Sequence, residues 1–122
     1  MFNRIVGIAA FIAMAAAVMP PLAQQARATT PGYVGTWGVD GAQCDKEQDV
    51  EGAPIVFSAN GYDQHETHCT FTSIKPSPTG WKVEAACVVE GDTQTDAFTL
   101  AADGDVLIMA REQSALRLKR CD

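Results

Sequence analysis

Two histidines in the segment His65-Glu66-Thr67-His68 are the side chains that most suggest a metal site. A zinc-protease motif places two histidines four residues apart on a helix, so that both rings face the same ion. Here the spacing is three, and the segment is predicted to be extended, so the two rings should point to opposite faces of a strand. We therefore predict no metal site, and we expect both histidines to be solvated at a strand edge.

Carboxylates are the second group of side chains with the potential for chemistry. Asp103 and Asp105 flank Gly104, but the rest of the calcium-loop pattern is missing, so this segment is predicted to be a turn. Two pairs have the residue types for acid–base catalysis: Glu84 with Glu90, and Asp92 with Asp96. Both pairs are predicted on outward faces, where solvated carboxylates are ordinary, and no GxSxG nucleophile motif is present. We therefore expect the protein not to be an enzyme, and to have no catalytic, metal-binding or cofactor-binding residue.

The four cysteines are Cys44, Cys69, Cys87 and Cys121. An even number in a small exported domain predicts two disulfides, whereas a zinc site would need closely spaced pairs. Strand parity slightly favours Cys69–Cys87 across a hairpin, with Cys44–Cys121 joining the two ends of the domain. The alternative, Cys44–Cys69 with Cys87–Cys121, is nearly as good, because direct cross-strand bridges are geometrically demanding.

The elements that position these cysteines are predicted to be antiparallel strands. Residues 66–90 contain two strands joined by a loop that is marked by Pro76, Pro78 and Gly80. In the second strand, one face carries only apolar side chains: Trp81, Val83, Ala85, Cys87 and Val89. With the loop centred on Pro78, Cys69 and Cys87 lie opposite each other on that apolar side.

Turn signals divide the rest of the chain into further strands. Turns are predicted at Asn60-Gly61, Gly91-Asp92, Asp103-Gly104 and Glu112-Gln113. Pairing about the last three turns sets Val83 against Leu100, Ala85 against Phe98, Leu100 against Leu107, Phe98 against Met109, Leu116 against Met109 and Leu118 against Leu107. Residues 33–37 and 54–59 are predicted strands, and residues 38–52 are a loop with one helical turn near residues 42–48.

These elements predict an all-β fold, an antiparallel meander of about seven strands with one shared apolar face. Such a meander must curl or stack to bury that face, so we expect a small barrel or half-barrel, lipocalin-like in outline and cross-linked by two disulfides. A two-sheet sandwich is the alternative. The large side chains Trp37, Phe71, Trp81 and Phe98 are expected to fill the core, or to line a small pocket if the barrel is open at one end.

The N-terminus has the layout of a secretory signal peptide. Arg4 precedes an apolar run at residues 5–19, Pro20-Pro21 follows, and Ala26-Arg27-Ala28 fits the cleavage rule. The run is about 15 residues long, short of the roughly 20 that a spanning helix needs. We expect residues 1–28 to be removed and residues 29–122 to form one exported domain. That domain would be periplasmic in a Gram-negative source, with no membrane attachment after cleavage.

The charge of this domain is strongly negative. Cleavage would remove Arg4 and Arg27 from the nine basic residues and leave all 15 acidic ones, a formal charge of −8. Such a charge argues against nucleic-acid partners and anionic lipid surfaces. It suits solubility or attraction to a cationic protein.

Several short motifs together carry a resemblance to known proteins. They are Trp37 followed by Cys44, Ala53-Pro54-Ile55, Glu66-x-x-Cys69, Trp81-Lys82-Val83, residues 87–91 (CVVEG), residues 104–107 (GDVL) and Arg120-Cys121. This arrangement resembles a group of small exported alphaproteobacterial proteins with four cysteines and no assigned function. The resemblance implies a periplasmic location and transfers no catalytic or binding residue. There is a looser likeness to periplasmic β-barrel inhibitors of lysozymes and proteases, although the serine-glycine-x-tyrosine loop of one lysozyme-inhibitor family has no counterpart here.

Two functional hypotheses follow. The first is a non-enzymatic interaction protein of the cell envelope that inhibits a cationic hydrolase; it is motivated by a disulfide-bonded β-domain of charge −8. The second is a lipocalin-like binder of a small apolar ligand, motivated by the predicted barrel. The partner and the oligomeric state are left open by the sequence.

Overall fold

The computed structural model describes residues 30–122, which form eight antiparallel strands and one short helix. The elements are β1 (Gly35–Gly38), α1 (Gly41–Cys44), β2 (Ile55–Ser58), β3 (Gly61–Gln64), β4 (Thr67–Ser77), β5 (Gly80–Val89), β6 (Asp92–Asp103), β7 (Val106–Arg111) and β8 (Ser114–Arg120). Each strand pairs with the next, and β8 returns to pair with β1, so the sheet closes into a barrel. The predicted all-β barrel is therefore confirmed, with eight strands instead of about seven. The predicted signal peptide, residues 1–28, lies outside the described residues.

Alternation along the strands separates the barrel interior from the solvent. In β5, Val83 and Ala85 are buried, whereas Lys82 and Glu84 are exposed. A bulge between Phe71 and Ser73 interrupts this alternation in β4. The inward residues of the strands form one core with Tyr33, which precedes β1: Tyr33, Trp37, Ile55, Phe57, Tyr62, Cys69, Val83, Ala85, Cys87, Phe98, Leu100, Leu107, Met109 and Leu118. Burial of each large apolar side chain contributes roughly 1.5–3 kcal/mol, so this packed interior is the main source of stability.

The eighth strand results from a turn that the sequence did not reveal. Residues 65 and 66 form a two-residue turn between β3 and β4, with Gln64 paired to Thr67. His65 has a φ of 49°, a conformation that is uncommon outside glycine. The prediction of one extended segment through His65 and His68 is therefore wrong. His65 is half-buried in the turn, and His68 is exposed on β4.

The register between β5 and β6 differs from the prediction by two residues. Val83 pairs with Phe98 and not with Leu100, because the turn is made by Glu90 and Gly91. Both turn residues have positive φ, 51° and 88°, as a two-residue type I′ turn requires. A shift of two residues keeps every side chain on its face, so the buried set is unchanged.

The β6–β7 register is displaced in the same way, whereas the β7–β8 register is as predicted. Leu100 pairs with Met109 and not with Leu107, because the turn uses residues 104 and 105 instead of 103 and 104. Phe98, predicted opposite Met109, therefore lies two residues along from it. On the other side of β7, Met109 pairs with Leu116 and Leu107 with Leu118.

Two further turns lie close to their predicted positions. The β2–β3 turn consists of residues 59 and 60, and the predicted turn residue Gly61 instead begins β3, paired with Ser58. The predicted loop at residues 75–80 is shorter than expected, because β4 continues through Pro76 to Ser77. Beyond Thr70, β4 is not in register with β3, and a proline is tolerated where a strand is paired on one side only.

Two disulfides cross-link the barrel. Cys69 and Cys87 are directly opposite each other on β4 and β5, and their bridge lies in the core. Cys44 and Cys121 join the end of α1 to the residue after β8. This is the pairing that strand parity favoured, and the alternative pairing is wrong.

The residues that precede β1 close one end of the barrel. Tyr33 is buried, with its ring centroid 4.9 Å from that of Trp81, and its hydroxyl donates to the carbonyl of Ala59 at 2.7 Å. The indole Nε1 of Trp37 donates in turn to the carbonyl of Tyr33 at 2.8 Å. Within residues 30–122, no helix is long and apolar enough to cross a membrane.

Candidate functional site

The connection between β1 and β2 is the one long loop of the described barrel. It spans residues 39–54, whereas every other connection between consecutive strands has two residues. Within it, residues 45–52 (DKEQDVEG), here called the acidic loop, are all exposed. They carry four carboxylates, on Asp45, Glu47, Asp49 and Glu51, against the single ammonium group of Lys46. The side chain of Val50 is 41% exposed among these charges.

The first end of the acidic loop is held by α1 and a disulfide. The Asp40 carboxylate caps α1 by accepting from the backbone N–H of Gln43 at 2.8 Å. The side-chain oxygen of Gln43 accepts from the backbone N–H of Val39 at 2.6 Å. Cys44, directly before the loop, is bonded to Cys121. The loop therefore starts from a covalently fixed point on the barrel.

The second end is held by side-chain amides. The carbonyl of Ala53 accepts from Nε2 of Gln43 at 3.0 Å and from Nε2 of Gln64, on β3, at 2.9 Å. Gln48 donates to the carbonyl of Pro54 at 2.8 Å, and both Ala53 and Pro54 are buried. Because both ends are fixed, the conformational entropy that a flexible loop would lose on binding a partner is already partly lost.

A partly buried ion pair lies at the end of the barrel opposite Tyr33. Arg111 donates from Nε and Nη2 to the two carboxylate oxygens of Asp96, at 3.0 and 2.7 Å. Its guanidinium carbon lies 5.6 Å from the ring centroid of Phe98. The hydroxyl of Tyr62 is 3.4 Å from the same carboxylate. The Arg111 side chain is 36% exposed and that of Asp96 is 20% exposed.

The pKa values of these three groups are shifted by their mutual contacts. The hydrogen bonds from Arg111 hold the pKa of Asp96 below its ordinary value, although partial burial opposes them. The same hydrogen bonds raise the pKa of Arg111. Burial, followed by the nearby charge of Asp96, raises the pKa of Tyr62. At neutral pH the site therefore holds one carboxylate, one guanidinium and one neutral phenol.

The predicted outward position of Asp96 is wrong. Asp96 is two residues from Phe98 on β6 and shares its inward parity, and it is half-buried opposite Ala85. That parity was visible in the sequence as a signal for this site. The other members of the predicted pairs, Glu84, Glu90 and Asp92, are exposed.

The four aromatic residues predicted for the core or a pocket belong to one packed cluster. Trp37 and Phe98 are buried, and the half-buried Phe71 and Trp81 pack against the same core. Phe71 contacts Phe98 edge to face, with ring centroids 6.0 Å apart. The interior between them is occupied by side chains.

The histidines are not part of a metal-binding arrangement in the described residues. His68 Nδ1 lies 2.7 Å from Oδ1 of Asp63, and both side chains are more than half exposed, at 60% and 62%. Across the part of the chain that the structure describes, no three His, Cys, Asp or Glu side chains are grouped so as to hold a metal ion. Asp103 is the last residue of β6, and Asp105 belongs to the exposed turn between β6 and β7.

The basic C-terminal strand is β8, and it pairs with β1. Arg120 stacks over the Trp37 ring at 4.3 Å and donates to the carbonyls of Val34 and Gly32. Its nearest carboxylate is Asp105 at 3.7 Å. Arg120 is therefore used to hold the N-terminal lead-in, and it does not neutralise the acidic loop.

No family model, curated protein or solved structure matches the chain. The resemblance to small exported alphaproteobacterial proteins therefore stays a prediction. The glutamine side chains that hold the loop were not predicted, because their partners are backbone carbonyls distant in sequence.

Proposed function

We propose that the protein is a non-enzymatic interaction protein of the cell envelope. In this proposal the acidic loop binds a cationic hydrolase and inhibits it. The observation that carries the proposal is the acidic loop itself, the one long exposed connection on a closed barrel, held at both ends by a disulfide and side-chain hydrogen bonds.

Charge supports a cationic partner. The acidic loop alone has a formal charge of −3 within a domain of −8. Opposite charge accelerates the encounter of two proteins and selects against wrong partners. The exposed Val50, between Asp49 and Glu51 in the sequence, would supply an apolar contact among these charges.

The rigidity of the attachment supports inhibition. A loop that enters the active-site cleft of a hydrolase binds more tightly when its conformation is fixed before binding. Here Cys44, Gln43 and Gln48 fix the ends of the loop, while its carboxylates stay solvated.

The packed interior favours a surface interaction over carriage of a ligand inside the barrel. The centre of the barrel is filled by side chains that have at most 2% of their surface exposed: Trp37, Phe57, Leu100, Leu107, Met109 and Leu118. A lipocalin-like container needs that space for its ligand. The second hypothesis from the sequence therefore has less structural support than the first.

Export to the periplasm is part of the proposal. Two disulfides fit an oxidising compartment, because cytosolic thiols are kept reduced. The signal-peptide pattern of residues 1–28 and the resemblance stated above support the periplasm in particular. Cysteine alkylation of protein recovered from the periplasmic fraction of its source would test this, because no free thiol is expected.

The test of the proposed function compares two variants that lose the same charge. In the loop variant, Glu47→Gln, Asp49→Asn and Glu51→Gln are combined. In the control variant, three exposed carboxylates elsewhere are changed: Glu84→Gln, Asp103→Asn and Glu112→Gln. Inhibition and binding are measured with a cationic c-type lysozyme and a cationic trypsin-like protease.

The unmodified domain should inhibit one of these hydrolases. The loop variant should bind it at least about tenfold more weakly, since three charge-assisted contacts are lost. The control variant should bind almost as well as the original. Absence of inhibition of both hydrolases, or equal weakening by the two variants, would contradict the proposal.

A further inference from the structure

A small cavity opens at the mouth of the barrel, at the end that holds the Asp96–Arg111 pair. Its volume is about 340 Å³, near the lower limit of ordinary small-molecule sites. The side chains that line it and that matter here are Tyr62, Gln64, Thr67, Val89, Gln94, Asp96 and Arg111. They come from five consecutive strands, β3 to β7, so their inward parity places them around one opening.

The polar groups of this mouth combine donors and acceptors. Oδ2 of Asp96 accepts from Arg111 and from the Tyr62 hydroxyl, whereas Oδ1 accepts one bond from Arg111 and keeps a further lone pair. Arg111 keeps both donors of Nη1. The amides of Gln64 and Gln94 each provide a carbonyl oxygen and N–H donors, of which only one donor of Gln64 is used, by Ala53. The hydroxyl of Thr67 can either donate or accept a hydrogen bond.

This mixture selects against charged ligands. A simple anion would be attracted by Arg111 but repelled by the adjacent Asp96 carboxylate. A cation would be attracted by Asp96 but repelled by Arg111. The pair is bidentate and therefore close to neutral as a unit. A hydroxyl group satisfies the mouth better, because it donates to a carboxylate or amide oxygen while it accepts from a guanidinium or amide N–H.

The same cavity has an apolar side. Val89 and the Cys87 end of the buried disulfide line it next to the polar groups. A ring whose C–H face is apolar and whose edge carries hydroxyls would contact both kinds of surface at once. Sugars have this combination.

We propose that the mouth of the barrel binds a neutral polyhydroxylated molecule of the size of a monosaccharide. The Asp96–Arg111 pair and Gln94 supply its hydrogen bonds, and Val89 contacts its apolar face. No residue of the acidic loop lines this cavity, although Gln64 both lines it and donates to Ala53 at the end of the loop. Sugar binding is therefore tested separately from the proposed inhibition.

The test is a titration followed by nuclear magnetic resonance on the oxidised, ¹⁵N-labelled domain. Glucose and N-acetylglucosamine are the neutral probes, and inorganic phosphate and ethylamine are the charged ones. The side-chain N–H signals of Gln64, Gln94 and Arg111 report directly on the mouth. The same spectra show whether each variant is folded.

Glucose or N-acetylglucosamine should produce saturable shifts at these three side chains. Gln94→Ala should weaken the binding about tenfold, as loss of well-placed hydrogen bonds does. The matched change Gln113→Ala, in the β7–β8 turn and outside the cavity lining, should leave the affinity unchanged.

Three results would overturn the proposal. The first is no saturable shift with either sugar at the highest concentration that the sample tolerates. The second is tighter binding of phosphate or ethylamine than of the sugars. The third is an equal loss of affinity in Gln94→Ala and Gln113→Ala.

Discussion

Replacing Cys44 and Cys121 together by alanine should lower the free energy of unfolding by about 4 kcal/mol without unfolding the barrel. The bridge joins residues 77 positions apart, and the Cys69–Cys87 bridge shortens that loop by 18 positions. In the chain-entropy model, a closed loop of this effective length is worth about 4 kcal/mol at 25 °C. Domains of this size have roughly 5–15 kcal/mol in total, so the variant should be weakened and still folded.

The structure explains why the barrel should survive this change. The Cys44–Cys121 bridge is outside the main core, and neither cysteine belongs to the buried cluster. The β1–β8 pairing and the backbone hydrogen bond from Cys121 to Thr36, at 2.9 Å, do not depend on the sulfur atoms. What the change releases is the first end of the acidic loop.

The assay has two parts. Urea unfolding followed by circular dichroism gives the change in stability, and hydrogen–deuterium exchange gives the protection of individual segments. In the variant, the amides of residues 44–52 should exchange faster, whereas those of β5 and β6 should keep their order of protection.

The matched control removes the other bridge, by Cys69→Ala with Cys87→Ala. Its shorter loop is worth about 3 kcal/mol, and lost packing in the core adds to the cost. Exchange in residues 44–52 should be unaffected relative to the rest of the domain. A loss below about 1 kcal/mol on removing Cys44–Cys121, or an acidic loop as protected without the bridge as with it, would refute the reasoning.

Two further predictions concern the barrel. Because the pKa of Asp96 is lowered, chiefly by Arg111, the pair stabilises the fold above about pH 4, and that contribution is lost as the pH falls through the folded pKa. Arg111→Met should therefore cost about 1–2 kcal/mol at pH 7 but much less at pH 2, as judged by urea unfolding at both pH values; an equal cost at both would count against the ion pair. Gly61→Ala should cost about 3 kcal/mol by thermal or urea unfolding, because the added Cβ meets the carbonyl oxygen of Cys69, whereas Gly41→Ala, with no atom within 4 Å of its Cβ, should be tolerated. Similar stability of the two glycine variants would contradict the packing at β3.

The strands and their inward faces could be predicted because the side-chain period of two is visible in the sequence. The turns at Glu90 and at His65 were predicted wrongly, because in each a residue other than glycine adopts positive φ. Glu90 shares its turn with Gly91, and the sequence equally allowed the turn one residue later. His65 has no glycine beside it in its turn, so the sequence contains no turn motif at the break between β3 and β4.

The candidate sites were predictable only in part. The exposed acidic segment was visible from composition, and the parity of Asp96 with Phe98 marks an inward carboxylate. What holds the acidic loop was not visible, because Gln43 and Gln64 bond to the backbone carbonyl of Ala53, ten and eleven residues away. Such contacts depend on the tertiary path of the chain and have no side-chain partner that a motif could show.

The most direct test of the central claim is hydrogen–deuterium exchange of the oxidised domain with and without a saturating cationic hydrolase, using the c-type lysozyme and the trypsin-like protease in turn. If the acidic loop is the binding surface, protection should increase at residues 44–54 in one of these complexes. The outer faces of β4 to β6 should be unchanged. The claim would be contradicted if protection increased on those strands and not in the loop, or if neither hydrolase increased protection anywhere.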